Sequence, residues 1–246
     1  MRPLDRPRLG GLYTMSPMRR LVIALATATT AAALFAGCSS KDAGGPLPDA
    51  TTLVKESAAT TADLKSAHLA LSVTGQIKNL PVKTLEGDLT NEPTTAAKGS
   101  ATITMLGSDV DAKFVVINGD LYAAITGDDY DNYGAADKIY DVAAILSPDK
   151  GLANMLAKLK DPKAQARDTI NGQKAVRVTG DAPADAVNAL APQLKATAST
   201  PATVWIQEDG DHQLVQAQLD PSAGNSIQMT LSNWNDPVTV EKPAGA

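Results

Sequence analysis

The sequence predicts an α+β fold, one large, curved antiparallel sheet with a few short helices on its apolar face. Three observations carry this reading. From Ala67 onward apolar side chains recur at every second position through most of the chain, the pattern of strands with one wet and one apolar face. Asn118-Gly119, Asn171-Gly172 and Asp209-Gly210 each separate two such runs, and these pairs suit a hairpin turn whose two central residues need positive φ. Helical spacing is confined to short stretches, which places helices against the sheet rather than in a bundle of their own.

The body opens with a helix. Asp49 is its N-cap, and Leu53, Val54, Ala58 and Leu64 form its apolar face. The period then switches to two. Leu69, Leu71 and Val73 alternate with Ala70, Ser72 and Thr74; Leu85, Gly87 and Leu89 follow. Ala101, Ile103 and Met105 face inward, with Thr102 and Thr104 outward and Ala101 near the start of its strand. Ala112, Phe114 and Val116 continue the inner face after Val110, and Leu121, Ala123 and Ile125 follow the Asn118-Gly119 turn. Short helices are predicted over 141–146, 149–159 and 183–190. The second presents Leu152, Met155, Leu156 and Leu159 on one face, and Pro183 sits in the first turn of the third. Strands then run over 164–170, 174–179, 204–207 and 212–219, and the last carries Ile227, Met229 and Leu231.

Upstream lies a different kind of segment. Arg19 and Arg20 precede an apolar run from Leu21 to Ala36, and Gly37 precedes Cys38, the only cysteine. A basic start, a short apolar stretch and small residues at the cut make a secretory signal. A cysteine directly after them makes it a lipoprotein signal, with Phe35 where leucine is usual. A lone cysteine is otherwise a common core residue, but the position after Ala36-Gly37 favours lipidation. The apolar run falls short of the roughly 20 residues of a spanning helix. Residues 1–37 therefore read as signal peptide, with Met15 or Met18 as its expected start. Residues 38–48 read as a lipidated tether of small, Gly and Pro residues, and 49–246 as one domain. The tether from Ser39 to Pro48 reaches at most roughly 33 Å.

Removing 1–37, with five arginines and one aspartate, from 22 basic and 27 acidic residues leaves a net charge near −9. That argues against a nucleic-acid partner and against electrostatic adhesion to anionic lipid. Aromatics are 4% of the chain, and several inward positions are Ala, Gly, Val or Thr. A large sheet faced by small side chains is poorly filled, while native interiors pack near crystal density. Either the helices sit close and fill the space or another occupant does; an empty cavity is disfavoured.

No catalytic constellation emerges. His68 begins a strand and His212 follows a turn beside Asp211; both read as surface or edge residues. HExxH, GxSxG and phosphate-cradling glycine loops are absent from the sequence. Asp128-Asp129-Tyr130-Asp131 lacks the spaced ligands and closing Glu of a calcium loop and reads as a solvated loop. No enzyme activity, metal or cofactor is expected.

The lipoprotein signal, GGPLPDA at 44–50, LKSAH at 64–68, DTINGQ at 168–173, PATVWIQE at 201–208, GDHQLVQAQLD at 210–220 and GNSIQMTLS at 224–232 resemble the LppX/LprG lipoproteins of mycobacteria and related actinobacteria. The resemblance covers essentially the whole mature chain. It implies a half-barrel with helices enclosing a hydrophobic cavity that holds acyl chains. The cargo it implies is triacylated glycolipid (phosphatidylinositol mannosides, lipoarabinomannan) or triacylglycerol, moved across the envelope together with a major-facilitator-type transporter. The location it implies is the outer face of the cell membrane, with cell wall or secreted forms beside it. Combined with the alternation, it puts the acyl chains against Leu71, Val73 and Leu89, then Ala101, Ile103 and Met105, then Ala112, Phe114, Val116, Leu121 and Ala123. Met155, Leu156 and Leu159 would cover them, and Cys38 would be the lipid anchor.

Overall fold

The computed structural model describes residues 45–125, 127–139 and 141–245; Cys38, the apolar segment before it and most of the tether lie outside them. Helix α1, Ala50–Ala62, starts where Asp49 accepts a hydrogen bond from the Thr52 amide at 2.8 Å. That bond holds the Asp49 carboxyl below its ordinary range. The helix buries Ala50, Leu53, Val54, Ser57, Ala58 and Thr61, one stripe at helical spacing.

Two meanders follow. The first is β1 (Ser66–Thr74), β2 (Val82–Thr90), β3 (Ala96–Met105), β4 (Ser108–Ile117), β5 (Asp120–Ala124) and β6 (Asp131–Ala135). A helical crossover comes next, with 3-10 turns at Ala136–Lys138 and Val142–Leu146 and helix α2 at Leu152–Ala157. The second meander is β7 (Lys160–Ile170), β8 (Gln173–Ala182), β9 (Thr200–Gln207), β10 (Leu214–Ser222) and β11 (Asn225–Ser232), with α3 (Ala184–Leu190) inserted after β8. The strands form one antiparallel sheet in the order β6-β5-β4-β3-β2-β1-β11-β10-β9-β8-β7. The seam between meanders is β1 against β11, with Leu71 opposite Met229. Strands β6 and β7 are the open edges, so the sheet is a half-barrel and not a closed barrel.

The bend has a local cause. Gly87 and Gly99 face each other across β2 and β3. A Cβ on Gly99 would stand 2.1 Å from the Glu86 carbonyl oxygen, and one on Gly87 2.4 Å from that of Lys98. Glycine is required because the two backbones close in on their inward side, as in the glycine kinks that curve a sheet.

Several expectations are corrected. Met105 is the last residue of β3 and exposed at 39%; the sheet runs out before any inward partner covers it. Ala101 lies in the middle of β3, which begins at Ala96. The turn after β3 is Leu106-Gly107, with φ of 52° and 85°, the conformation Asn118-Gly119 and Asn171-Gly172 adopt. The β9–β10 connection spans six residues, 208–213, so Asp209-Gly210 is part of a longer loop. The acidic stretch ends in a short strand, β6, whose residues all keep contact with water. Helix α2 is only six residues long.

On the outer face the C-terminal segment crosses the first meander. Asn235 donates from its backbone to Ser66, Lys98 Nζ donates to the Thr239 carbonyl at 2.8 Å, and the Lys242 ammonium lies 5.3 Å from the Tyr122 ring centre. Val115 and Tyr122, paired in register on this face, are buried there.

Candidate functional site: the concave aliphatic face

Registers across the sheet align one inward row on eight strands: Val178, Val204, Ala217, Met229, Leu71, Leu85, Ala101 and Ala112. A second row runs Leu231, Leu69, Gly87, Gly99, Phe114 and Ala123. Every member is aliphatic, small or aromatic, and none carries a charge. Period-two alternation aims them all at one side.

Helices cover this face. Helix α1 packs on β7, β9 and β10, and the 3-10 turn Val142–Leu146 packs on β2 and β3. Asn91 ties the cover to the sheet: its side-chain amide donates to the carbonyls of Leu64 at 3.2 Å and Leu146 at 3.0 Å. Lys158, after α2, donates to Asp185 in α3 at 2.8 Å, which lowers the pKa of that carboxyl. Arg167 on β7 donates from Nε to both Glu208 oxygens at 2.7 and 2.8 Å and from Nη1 to the Gly45 carbonyl at 2.8 Å. It fixes the point where the tether joins the body and draws the Glu208 carboxyl below its ordinary value.

The sequence-predicted residues fall mostly together. Leu71, Leu89, Phe114, Val116, Met155, Leu156 and Leu159 belong to one apolar cluster, with Val73, Ala101, Ile103 and Leu121 packed against it. Ala112 is buried opposite Ala101, and Ala123 is half-buried opposite Phe114. Met105 stands apart. Beneath the helices lies a small void of about 10 Å³, walled by Leu71, Leu80, Val82, Leu190, Ala191, Leu219, Ile227 and Met229. That is room for one water. Of the fourteen predicted lining positions only Leu71 touches it. Leu80 and Val82 escaped notice because Pro81 between them breaks the alternation, and the others read as ordinary strand or helix core.

His68 lies on the outer face, with Nδ1 2.7 Å from Asp88 and Nε2 3.3 Å from Glu86. His212 joins the β9–β10 loop to α1, with Nε2 3.4 Å from Glu56. Asp128 pairs with Lys113. Among the described residues no group of three or more His, Cys, Asp or Glu is placed to hold a metal, and no helix is long and apolar enough to cross a membrane.

Fold and face together define the class: a single-sheet half-barrel with a buried aliphatic concave surface. The LppX_LprAFG lipoprotein model matches residues 49–240. The chain is 58% identical over 228 residues to the lipoarabinomannan carrier protein LprG of Mycobacterium leprae (strain TN), covering 92% of this chain and 96% of that one. It is 55% identical over 226 residues to the protein of the same name from Mycobacterium tuberculosis (strain ATCC 25618 / H37Rv), covering 91% and 95%. The crystal structure of LprF from Mycobacterium bovis superposes with a TM-score of 0.74 at 33% identity, over 82% of this chain and 100% of that one. Mycobacterium tuberculosis lipoprotein LppX gives 0.62 at 31%, over 78% and 97%. This chain belongs to the LppX_LprAFG lipoprotein family, a family of lipoproteins rather than of enzymes.

Proposed function

We propose that this chain is a lipid-anchored envelope carrier that takes the acyl chains of triacylated glycolipids or triacylglycerol onto its concave face and passes them across the envelope. The observation that carries the reading is the uncharged inward row on eight strands under a cover of short helices. Relatives more than half identical over nearly their whole length are named as carriers of a lipoglycan, which supports it.

The energetics suit exchange. Each buried methylene contributes roughly 0.8 kcal/mol, so two or three long chains leaving water would gain on the order of 20–30 kcal/mol. A carrier instead takes lipid from a bilayer that is equally apolar. The net difference is small, which permits both loading and release. Loading requires the cover to move, because the enclosed void is about 10 Å³. Beside α1 the helical layer consists of short pieces: α2 and α3 have six and seven residues.

Cys38 is the proposed anchor, holding the body at the outer face of the cell membrane, and a major-facilitator-type transporter is the proposed partner. Cys38→Ser should abolish acylation and signal cleavage and leave the body folded; a mutant still acylated would refute the anchor. The filled interior favours a second reading, an adaptor or assembly lipoprotein without cargo. Lipid extraction and mass analysis of protein purified from an actinobacterial host separate the two. The carrier reading predicts stoichiometric acylated lipid beyond the anchor; its absence favours the adaptor.

A further inference from the structure

Two walls of the enclosed void, Leu80 and Val82, also line an open depression of about 570 Å³ where β1 turns into β2 and β3 into β4. The other large depressions lack this connection. The groove between α1 and α2, about 680 Å³, shares no residue with the void. The groove on the outer face, about 720 Å³, shares only Leu71, whose side chain points to the other side of the paired β1–β2 ladder.

The depression is formed by a connection that belongs to no strand. It leaves β1 through Gly75, with φ of 75°, and turns again at Asn79, with φ of 66°. Its ends are held from outside: the Gln76 amide donates to Asn225 Oδ1 at 2.8 Å, and the Thr104 amide donates to the Pro81 carbonyl at 2.7 Å. Between those ends Ile77 and Leu80 pack against the main core although they belong to no strand. They are core side chains carried on a connection and not on a strand, so they can part from the core without breaking a strand ladder.

Polarity is graded across the site. Leu80 and Val82 present apolar surface to both volumes, so a chain passing them meets no buried polar group to desolvate. Lys83, Thr104 and Asp109 line the open side. Beside them Leu106 is wholly exposed and Met105 39% exposed. Leu106 holds a positive φ that disfavours a branched side chain, so an apolar tip stands at the rim.

We propose that this depression is the portal by which an acyl chain reaches the concave face, with Leu80 and Val82 as the partition and Lys83 and Asp109 left outside to face a hydroxylated or phosphorylated head group. The proposal rests on the carrier reading. The purified full chain is mixed with phosphatidylcholine vesicles carrying pyrene-acyl phosphatidylinositol, and uptake is followed as loss of excimer emission. Leu80→Trp should slow uptake by about tenfold, equal to about 1.4 kcal/mol of barrier, without changing the final amount bound. Leu80→Ala should speed it, and it decides the matter if the tryptophan variant melts early. Ser100→Trp, in the outer-face groove, should leave the rate unchanged. Uptake at one rate by the unsubstituted chain and both Leu80 variants overturns the portal alone, as does slowing confined to Ser100→Trp. A Leu80→Trp protein that binds less lipid at an unchanged rate also overturns it, since it would place Leu80 in the storage site. No uptake by the unsubstituted chain overturns the carrier reading and the portal with it.

Discussion

In β8, β9 and β10 the inward side chains Val176, Val178, Val204, Ile206, Ala217 and Leu219 are wholly buried. In β3 and β5 the corresponding Ala101, Ile103, Leu121 and Ala123 keep part of their surface in water. The strands are alike in pattern and pairing; what differs is what lies over them. Helix α1 covers the second meander with 13 residues and a continuous apolar stripe. The outer part of the first meander has a five-residue 3-10 turn and the loops around it. Alternation decides which way a side chain points, while the cover decides how deeply it is buried. The second meander is the fully covered wall, and β3 and β5 of the first keep apolar surface in water.

Truncation should separate the two regions most strongly. Leu219→Ala should cost about 2–5 kcal/mol, read by denaturant titration. Ile103→Ala, half-exposed, should cost less than half as much. Equal losses would show that the two faces are packed alike.

The bend between the regions is the next test. Gly99→Val would push a Cβ to 2.1 Å from the Glu86 carbonyl, and the strands would have to separate. A loss of about 1–3 kcal/mol is expected, against a negligible one for Ser100→Val on the outer face. An unchanged melting temperature for Gly99→Val would remove the glycine pair as the cause of curvature.

The smallest effect belongs to the Arg167–Glu208 clamp on the second meander. Arg167 lowers the pKa of Glu208, so its contribution is present above the ordinary value of 4.5 and is lost as pH falls through the folded value. Being partly exposed, the pair should contribute little. The melting difference between the unsubstituted chain and Glu208→Gln should shrink as pH drops from 7 to below 4. A constant gap would mean that the glutamine loses packing and not charge.

Much of this was legible in the sequence. The inner and outer faces of β1 through β4 follow from strict alternation, and two hairpins from Asn-Gly pairs whose φ values admit little else. Cover is a long-range property, so the half-exposed state of Ala101 and the exposure of Met105 were not written locally. Strand β6 hid because an edge strand with both faces wet has no apolar period. Leu80 and Val82 hid around Pro81, and the path of residues 235–242 across the outer face depends on single contacts at Lys98 and Tyr122.

Ala101 tests the central claim most directly, because it lies on the eight-strand inward row and among the inward residues that keep part of their surface in water. Bound lipid per protein, measured beside a thermal melt, should fall in Ala101→Trp with the melting temperature kept. Thr102→Trp, whose position faces outward where Thr102 donates to Asp111 at 2.7 Å, should retain its lipid. A stable Ala101→Trp protein that still carries the full complement of lipid would contradict the account.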